Sequence, residues 1–441
     1  MDASASAATI DMTCYVPEEE MLDAADLAAL QRRKLAAMLR AILPANAFYG
    51  RKLAGMSVDS IVDGFDSLPL TTRDEIQSDQ LRQPPYGTNL SFPIGDYVRL
   101  HQTSGSTGAP LRCLDRAEDW QWWKRCWAVI YRGAGVQAGD RFIFPFTFGP
   151  FIGFWAAFES AVALGNLCLA AGGMTTKARL DFMMRNGATW VCCTPTYALR
   201  MAEVAAAEGI DLAAGQVRGL IVAGEPGGNL PVTRQAIADA WGARVFDHAG
   251  MTEIGPYGFE CVEAPGGFHV MENEFIPEVI DSASGRAVGD GVEGELVLTN
   301  LGRWGHPLIR YRTEDRVRLT RGRCACGRSF ARIDGGILGR ADDMFFIRGN
   351  NVYPSAVEDA VRGVAGVAEF RFEVELRGPM TDLRVDVEPG AGADASALAE
   401  RVSEAIRDRM NFRPTVILVE CGALPRYEMK ARRWSQRTIH E

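Results

Sequence analysis

Lysine is scarce in this chain of 441 residues: five lysines stand beside 42 arginines. Codon usage in a GC-rich gene accounts for such a bias. It also makes any lysine inside a motif more informative than usual. Positive charge is not in excess either. Lysine and arginine number 47 against 56 aspartates and glutamates, a net charge of −9. An acidic chain is a poor candidate for holding nucleic acid or an anionic membrane by bulk charge. The opening residues, MDASASAATIDMTCYVPEEE, show no basic n-region and no apolar h-region. No secretory signal is therefore expected, the ten cysteines should be reduced, and the expected location is cytoplasmic. Long apolar runs are also missing. The stretch that comes nearest, Phe148–Gly173, contains Glu159, Asn166 and several glycines. It reads as a buried helix followed by a buried strand, not a membrane span. There is no internal repeat and no long low-complexity tract.

What is present is a globular composition, 47% hydrophobic and 23% charged, in a chain long enough for roughly two to four domains. Residues 21–54 carry Leu and Ala at helical spacing. From Tyr97 to Asp247, short strand-like and helix-like pieces then alternate, which predicts a layered α/β domain with a mainly parallel sheet. From Glu293 the texture changes to apolar/polar alternation (EGELVLT and Asp315–Thr320), as in antiparallel strands with one wet face. A third texture begins near Arg340, with helices predicted over Ser355–Val364 and Ala395–Met410 and three strands among them. The expected fold class is α/β. A large layered N-terminal domain (1–339) carries an added antiparallel β subdomain, and a small mobile α+β C-terminal domain spans 340–441.

Five phrases could carry chemistry, and each has a plainer reading. Thr103-Ser104-Gly105-Ser106-Thr107-Gly108 can cradle phosphate oxygens with backbone amides and hydroxyls, or be a surface linker. It is not a GxxxxGK[ST] loop, because it has no lysine and its flanks look like strands. Asp247-His248-Ala249-Gly250-Met251-Thr252-Glu253 follows a strand, where a hydroxyl and a carboxylate suit a ligand crevice and Mg²⁺. Equally, Thr252 with Glu253 could be a helix cap. Asp315 in YRTED could accept both hydroxyls of a ribose or form a strand-edge ion pair. Gly339-Arg340-Ala341-Asp342-Asp343 falls at the texture change, as a hinge or an ordinary linker. Lys430, in Leu424–Lys430, could bring a point charge onto a carboxylate and a phosphate from a mobile loop, or be a solvated charge.

In order and approximate spacing these phrases resemble the acyl/aryl adenylate-forming ligases. The chain is most similar to the phenylacetate–CoA ligase family, over nearly its whole length. The shared phrases are TSGSTGAP, AGEP (Ala223-Gly224-Glu225-Pro226), GMTE, YRTED, GRADDMFFIRGNNVYP and LPRYEMKARR. Any one is weak; six in order are strong. The resemblance implies a two-step reaction. A carboxylate attacks the α-phosphate of ATP to give an acyl-AMP and pyrophosphate, and the thiol of coenzyme A then displaces AMP. It implies residues 103–108 on the β/γ-phosphates, Ala223–Pro226 near adenine, and Asp247, His248 and Ala249 along the nucleotide. Thr252 would lie near the α-phosphate, Glu253 on Mg²⁺, and Asp315 and Arg340 on the ribose. Asp342 would be the hinge pivot. Lys430 would bridge carboxylate and α-phosphate, then swing away so that Gly349 helps line the thiol channel. One departure is Ala249, where the family usually carries a Tyr that stacks on adenine; benzoate–CoA ligases tend to have a small aliphatic residue there.

Cys261 and His269, eight positions apart, and the Cys324-x-Cys326 pair supply four ligands, enough for tetrahedral Zn²⁺ with no open position. Similar Cys/His phrases in the resembled family support the pairing, so the expected zinc is structural; four unrelated residues are the alternative. A nucleic-acid zinc ribbon is disfavoured by the single C-x-C pair and the negative charge. Phe142, Phe144, Phe146, Phe148, Phe151, Phe154 and Trp155 crowd the segment where this family builds its acid pocket. An aromatic carboxylate is expected, either phenylacetate, benzoate or a substituted benzoate such as anthranilate. The alternatives carried forward are acyl transfer to a carrier protein or an amine, and AMP transfer to a deazaflavin. Expected partners are the acid, ATP and coenzyme A, with no nucleic acid and no membrane; a homodimer is left open.

Overall fold

The computed structural model describes residues 14–103, 109–340, 344–348, 350–377, 380–390, 392–428 and 430–438. Its centre is a long mixed sheet. Five parallel strands lie side by side in the order Leu167–Ala170, Arg141–Phe144, Trp190–Cys193, Gly219–Val222 and Arg244–Met251. Period-two alternation then decides both faces. Phe142, Phe144, Trp190, Cys192, Ile221 and Phe246 enter one core, against the helix Ala117–Gly133. Ile143, Val191, Cys193, Leu220, Val222 and Val245 enter the other, under the helices Pro195–Ala207 and Pro231–Trp241. Strands buried on both faces read as short apolar runs, which is why they were legible. Each large side chain buried this way contributes about 1.5–3 kcal/mol.

The strand Arg244–Met251 joins two architectures. On one edge it runs parallel to Gly219–Val222, and on the other antiparallel to Gly255–Phe259. From there the sheet continues through Gly267–Val270, Arg332–Asp334, Tyr311–Thr320, Glu293–Asn300 and Phe275–Ile280, all antiparallel. The expected added antiparallel subdomain is therefore continuous with the parallel sheet.

Residues 354–438 build the smaller α+β module. Its sheet runs Thr415–Leu418, Met380–Pro389, Val367–Arg377, Trp434–Thr438, and the helices Pro354–Arg362 and Ala395–Met410 cover one face. Phe372, Val385, Leu398, Val402 and Ile406 form its core. The last strand pairs in parallel with Val367–Arg377, which carries the preceding loop, with Lys430, back across the larger domain.

One expectation is corrected in detail. The apolar stretch around 148–173 does form a helix, Trp155–Ala163, and a strand, Leu167–Ala170, but that strand is the sheet edge. Leu167 is consequently 56% exposed. Among the described residues no helix is long and apolar enough to cross a membrane. Among the described residues no cysteine forms a disulfide.

Candidate active site

The parallel strands are laid out so that chain order reverses beside Arg141–Phe144: the next strand lies on one side of it and the one after on the other. Crevices outside the carboxyl ends of strands at such a reversal are where open α/β sheets hold ligands. The segments that leave those ends are residues 145–153, Thr194, Ala223–Pro226 and Thr252–Glu253, so the fold gathers the sequence motifs at one edge.

Glu253 is buried. Its Oε1 accepts from the Tyr311 hydroxyl at 3.1 Å and from Arg73 Nη1 at 3.4 Å. Arg73 also donates to Thr103 Oγ1 at 3.2 Å, tying the start of the TSGSTG phrase to the GMTE carboxylate. Arg73 was missed from the sequence. A signal existed: Thr72 and Glu75 form a capping box, and a cation at the first position of the helix Arg73–Arg82 opposes the helix dipole. Such a residue is held there for another purpose.

The turn Thr252–Glu253 is fixed from beneath. Arg303, fully buried, donates through Nη1 to the carbonyls of Thr252 (2.8 Å) and Glu253 (2.9 Å). Its other nitrogens grip Asp115 at 2.6 and 2.9 Å. Burial pushes the Asp115 carboxyl up, but Arg303 and His101 hold it below the ordinary carboxylate range. Nothing in the phrase GRWGHP announces this role, because it exists only once the fold brings residue 303 to residue 252.

Asp247, His248 and Ala249 make three different contacts. Asp247 Oδ2 accepts from Asn229 Nδ2 at 2.6 Å, and its backbone N–H donates to Glu260 at 2.8 Å. Burial, then the Glu260 charge, pushes the Asp247 carboxyl up to about 7. His248 turns to the opposite face and meets the Trp127 ring, with centroids 4.4 Å apart. Ala249 is buried opposite Gly258, whose missing side chain leaves room for Phe268.

Asp315 and Arg340 are direct cross-strand partners between Tyr311–Thr320 and Gly339–Arg340, so these two expected ribose residues do stand together. Tyr257 donates to Asp315 at 3.4 Å, and Arg340 donates to Glu314 at 2.6 Å. Glu225 is the middle of a bridge. Oε1 accepts from the Thr196 N–H and Oε2 from the Ala431 N–H, both at 2.8 Å. The exposed Lys430 is thereby set at the edge of the AGEP loop. Ser104, Gly105, Ser106, Thr107, Gly108, Asp342 and Gly349 lie outside the described residues.

The aromatic segment divides by depth. Phe142 and Phe144 are sealed in the core, whereas Phe146, Phe148 and Trp155 are only partly buried at the crevice; Phe146 packs edge-to-face with Phe154, and Phe148 with Trp155 and Phe158. A cavity of about 740 Å³ between the helix Ala24–Ile42 and the strand Phe275–Ile280, lined by Gln31, Glu278 and Arg310, takes no part in this crevice.

Away from it, the Cys261, His269, Cys324 and Cys326 ligand atoms all lie within 4.8 Å of one another. Cys261 and Cys324 sulfurs are 3.8 Å apart, and Cys326 Sγ is 3.5 Å from His269 Nε2. His269 Nδ1 lies 3.0 Å from the Phe330 carbonyl, which can only accept, so the proton is on Nδ1 and Nε2 faces the thiols. That donor set and that tautomer fit a tetrahedral zinc.

Comparison with known proteins agrees with this geometry. The AMP-binding enzyme family model matches residues 57–302, more than half of the chain, and the AMP-binding enzyme C-terminal domain matches residues 349–437. A phenylacetate-coenzyme A ligase of Pseudomonas putida is 32% identical over 373 residues, 82% of each chain. The crystal structure of a 2-hydroxyisobutyryl-CoA ligase in the postadenylation state, in complex with R3-HIB-AMP, is 27% identical. It superimposes with a TM-score of 0.90, covering 99% of this chain and 94% of that one. For the same ligase in the thioesterification state, with 2-HIB-AMP and CoA, the TM-score is 0.72 at 28% identity, over 96% and 92%. A layered domain with this strand-end crevice and a small C-terminal module define an AMP-forming ligase of acids and thiols. The chain belongs to the acyl/aryl-adenylate-forming ligase superfamily and uses ATP to join an acid to a thiol.

Proposed function

We propose that the acid is aromatic and the thiol that of coenzyme A, so that the chain is an aryl-acid–CoA ligase. The observation that carries the reading is the partly buried aromatic rim, Phe146, Phe148 and Trp155, at the chain-order reversal. The similarity to phenylacetate-coenzyme A ligases supports it. In the first half-reaction a carboxylate oxygen bonds to the α-phosphorus as the bond to the pyrophosphate oxygen breaks. In the second the thiol sulfur bonds to the acyl carbon, AMP leaves, and the thiol proton is lost.

Positioning and charge neutralisation govern such chemistry. Thr252 would meet the α-phosphate, and Asp315 and Arg340 the ribose. Glu253 would hold Mg²⁺, which neutralises phosphate charge when bound. Lys430 would reach the reacting carboxylate. The division at 339/340, with the pivot at Asp342 and Gly349 at the thiol channel, belongs to the same proposal. The higher likeness to the postadenylation arrangement supports reading the present pose as the one that serves the first half-reaction. The zinc set would hold a structural metal.

A second reading is an aliphatic hydroxy acid, favoured by the likeness to the 2-hydroxyisobutyryl-CoA ligase. The deciding experiment is a panel of phenylacetate, benzoates, hydroxy acids and 2-hydroxyisobutyrate. Acid-dependent exchange of pyrophosphate into ATP should occur without coenzyme A, and the thioester mass should appear with it. Exchange with no aryl acid would sink the aromatic reading.

A further inference from the structure

We infer that His248 Nε2 is the polar specificity contact of the acid pocket, accepting a hydrogen bond from an N–H or O–H donor on the substrate ring. The substrate class is then an amino- or hydroxy-substituted aryl acid, and the inference rests on the aryl-acid reading above.

The ring's chemistry is fixed by its neighbours. His248 Nδ1 lies 2.7 Å from the Gly258 carbonyl oxygen, which can only accept, so the proton is on Nδ1 and Nε2 carries a lone pair. Burial pushes the imidazole down to about 4, so it stays neutral at physiological pH. The contact with Trp127 prevents the ring from swinging. Nε2 has no hydrogen-bond partner among the described residues. Unlike both ring nitrogens of His306, it is not sealed from solvent. A side chain on the exposed Gly250 would stand 3.2 Å from Nε2, so this edge of the ring lies beside the backbone of the GMTE phrase.

What could meet it? A carboxylate would be repelled, because both groups are acceptors. A donor is required, and two sources are at hand: a substituent on the acid, or the exocyclic amine of adenine. Strand alternation favours the acid. Asp247 is directed to Asn229 on the side of the AGEP loop, while His248 shares its face with Phe246 and, through Trp127 and Phe154, with the aromatic rim. An unsubstituted ring would leave Nε2 dehydrated and unpaired, which costs on the order of 10–100-fold in kcat/KM.

The test uses the full chain and compares ratios, which a general loss of stability does not move. Benzoate and phenylacetate are set against their 2-, 3- and 4-amino and hydroxy derivatives, and against methoxy and dimethylamino analogues that lack the donor. At least one donor-bearing acid should exceed both its parent and its methylated analogue by about 10–100-fold. His248→Leu should bring that ratio close to one, and His248→Gln, which keeps an acceptor, should restore part of it. A ratio that survives in His248→Leu, or a wild-type preference for plain rings, overturns the inference. So does a wild-type penalty for purine riboside triphosphate in place of ATP that vanishes in His248→Leu, because the acceptor would then serve adenine. An active aryl ligase with an unmoved ratio sinks this inference alone. No activity on any aryl acid sinks the reading beneath it.

Discussion

Asp247 and Glu260 are two carboxylates placed side by side, and only Glu260 holds a full counter-charge: Arg234 grips it at 2.7 and 2.9 Å. Asp247 has the Asn229 amide and the His248 N–H in its place. Burial and the Glu260 charge therefore raise it from 3.8 to about 7. The folded chain holds that proton more tightly than the unfolded chain does. The resulting stability is complete below about pH 4 and is lost as pH rises through about 7. Asp247→Asn, neutral at every pH, should flatten this part of the profile. Urea unfolding at pH 5 and pH 8 reads it: the wild type should lose more stability between the two than the variant, and equal losses would refute the assignment. At this scale the sequence is an uneven guide. The rarity of lysine drew attention to Lys430, yet Lys34 is engaged too, donating to Glu19, Glu274 and the Asn273 carbonyl. Its partners lie up to 240 positions away, beyond any local pattern.

At the scale of elements, the Cys/His cluster depends on strands that were hard to read. Cys261 follows Gly255–Phe259, His269 sits within Gly267–Val270, and the C-x-C turn leads into Arg332–Asp334. GPYGF and GFHV are too rich in glycine to look like strands, so the ligand spacing and the resembled family's Cys/His phrases exposed the site. The inner parallel strands were legible because both faces are buried; WSQRT, the last strand, was not, because it is a largely exposed edge. The turn itself needs Gly327, whose φ is 89°. Beside it, the buried Arg328 binds Glu20 at 2.5 and 2.9 Å, which anchors the helix Pro17–Glu20 to the Cys/His cluster. Metal analysis should therefore find about one zinc per chain. Chelation should open the segment near residues 14–21 to limited proteolysis before the sheet is cut. A metal-free chain with an unchanged digestion pattern would remove the claim.

For the whole molecule, the question is how one crevice serves two half-reactions. Among the described residues the small module meets the large domain through packing of the helix Pro354–Arg362 on Pro231–Trp241 and through a set of polar links. Glu225 accepts from Ala431, Thr176 donates to Glu428 at 3.2 Å, and Arg433 reaches Thr196 at 3.4 Å. The polar links can be exchanged for water, as in interdomain surfaces that permit motion. The two residues at the crevice edge should then separate by function. In the proposed role of Lys430, Lys430→Ala removes a charge needed only when carboxylate meets phosphate, so adenylation should fall by about 10²–10³. Thioester formation from supplied acyl-AMP and coenzyme A should be largely spared. Glu225→Ala removes the latch to Ala431 together with the Thr196 contact and leaves the Lys430 charge in place, so adenylation should fall less than in Lys430→Ala, while the second half-reaction should hold or quicken. Pyrophosphate exchange and acyl-AMP consumption, measured separately on each variant, read the two steps. Equal loss of both steps in Lys430→Ala would mean that the module does not move between them, and that the present pose serves the whole reaction.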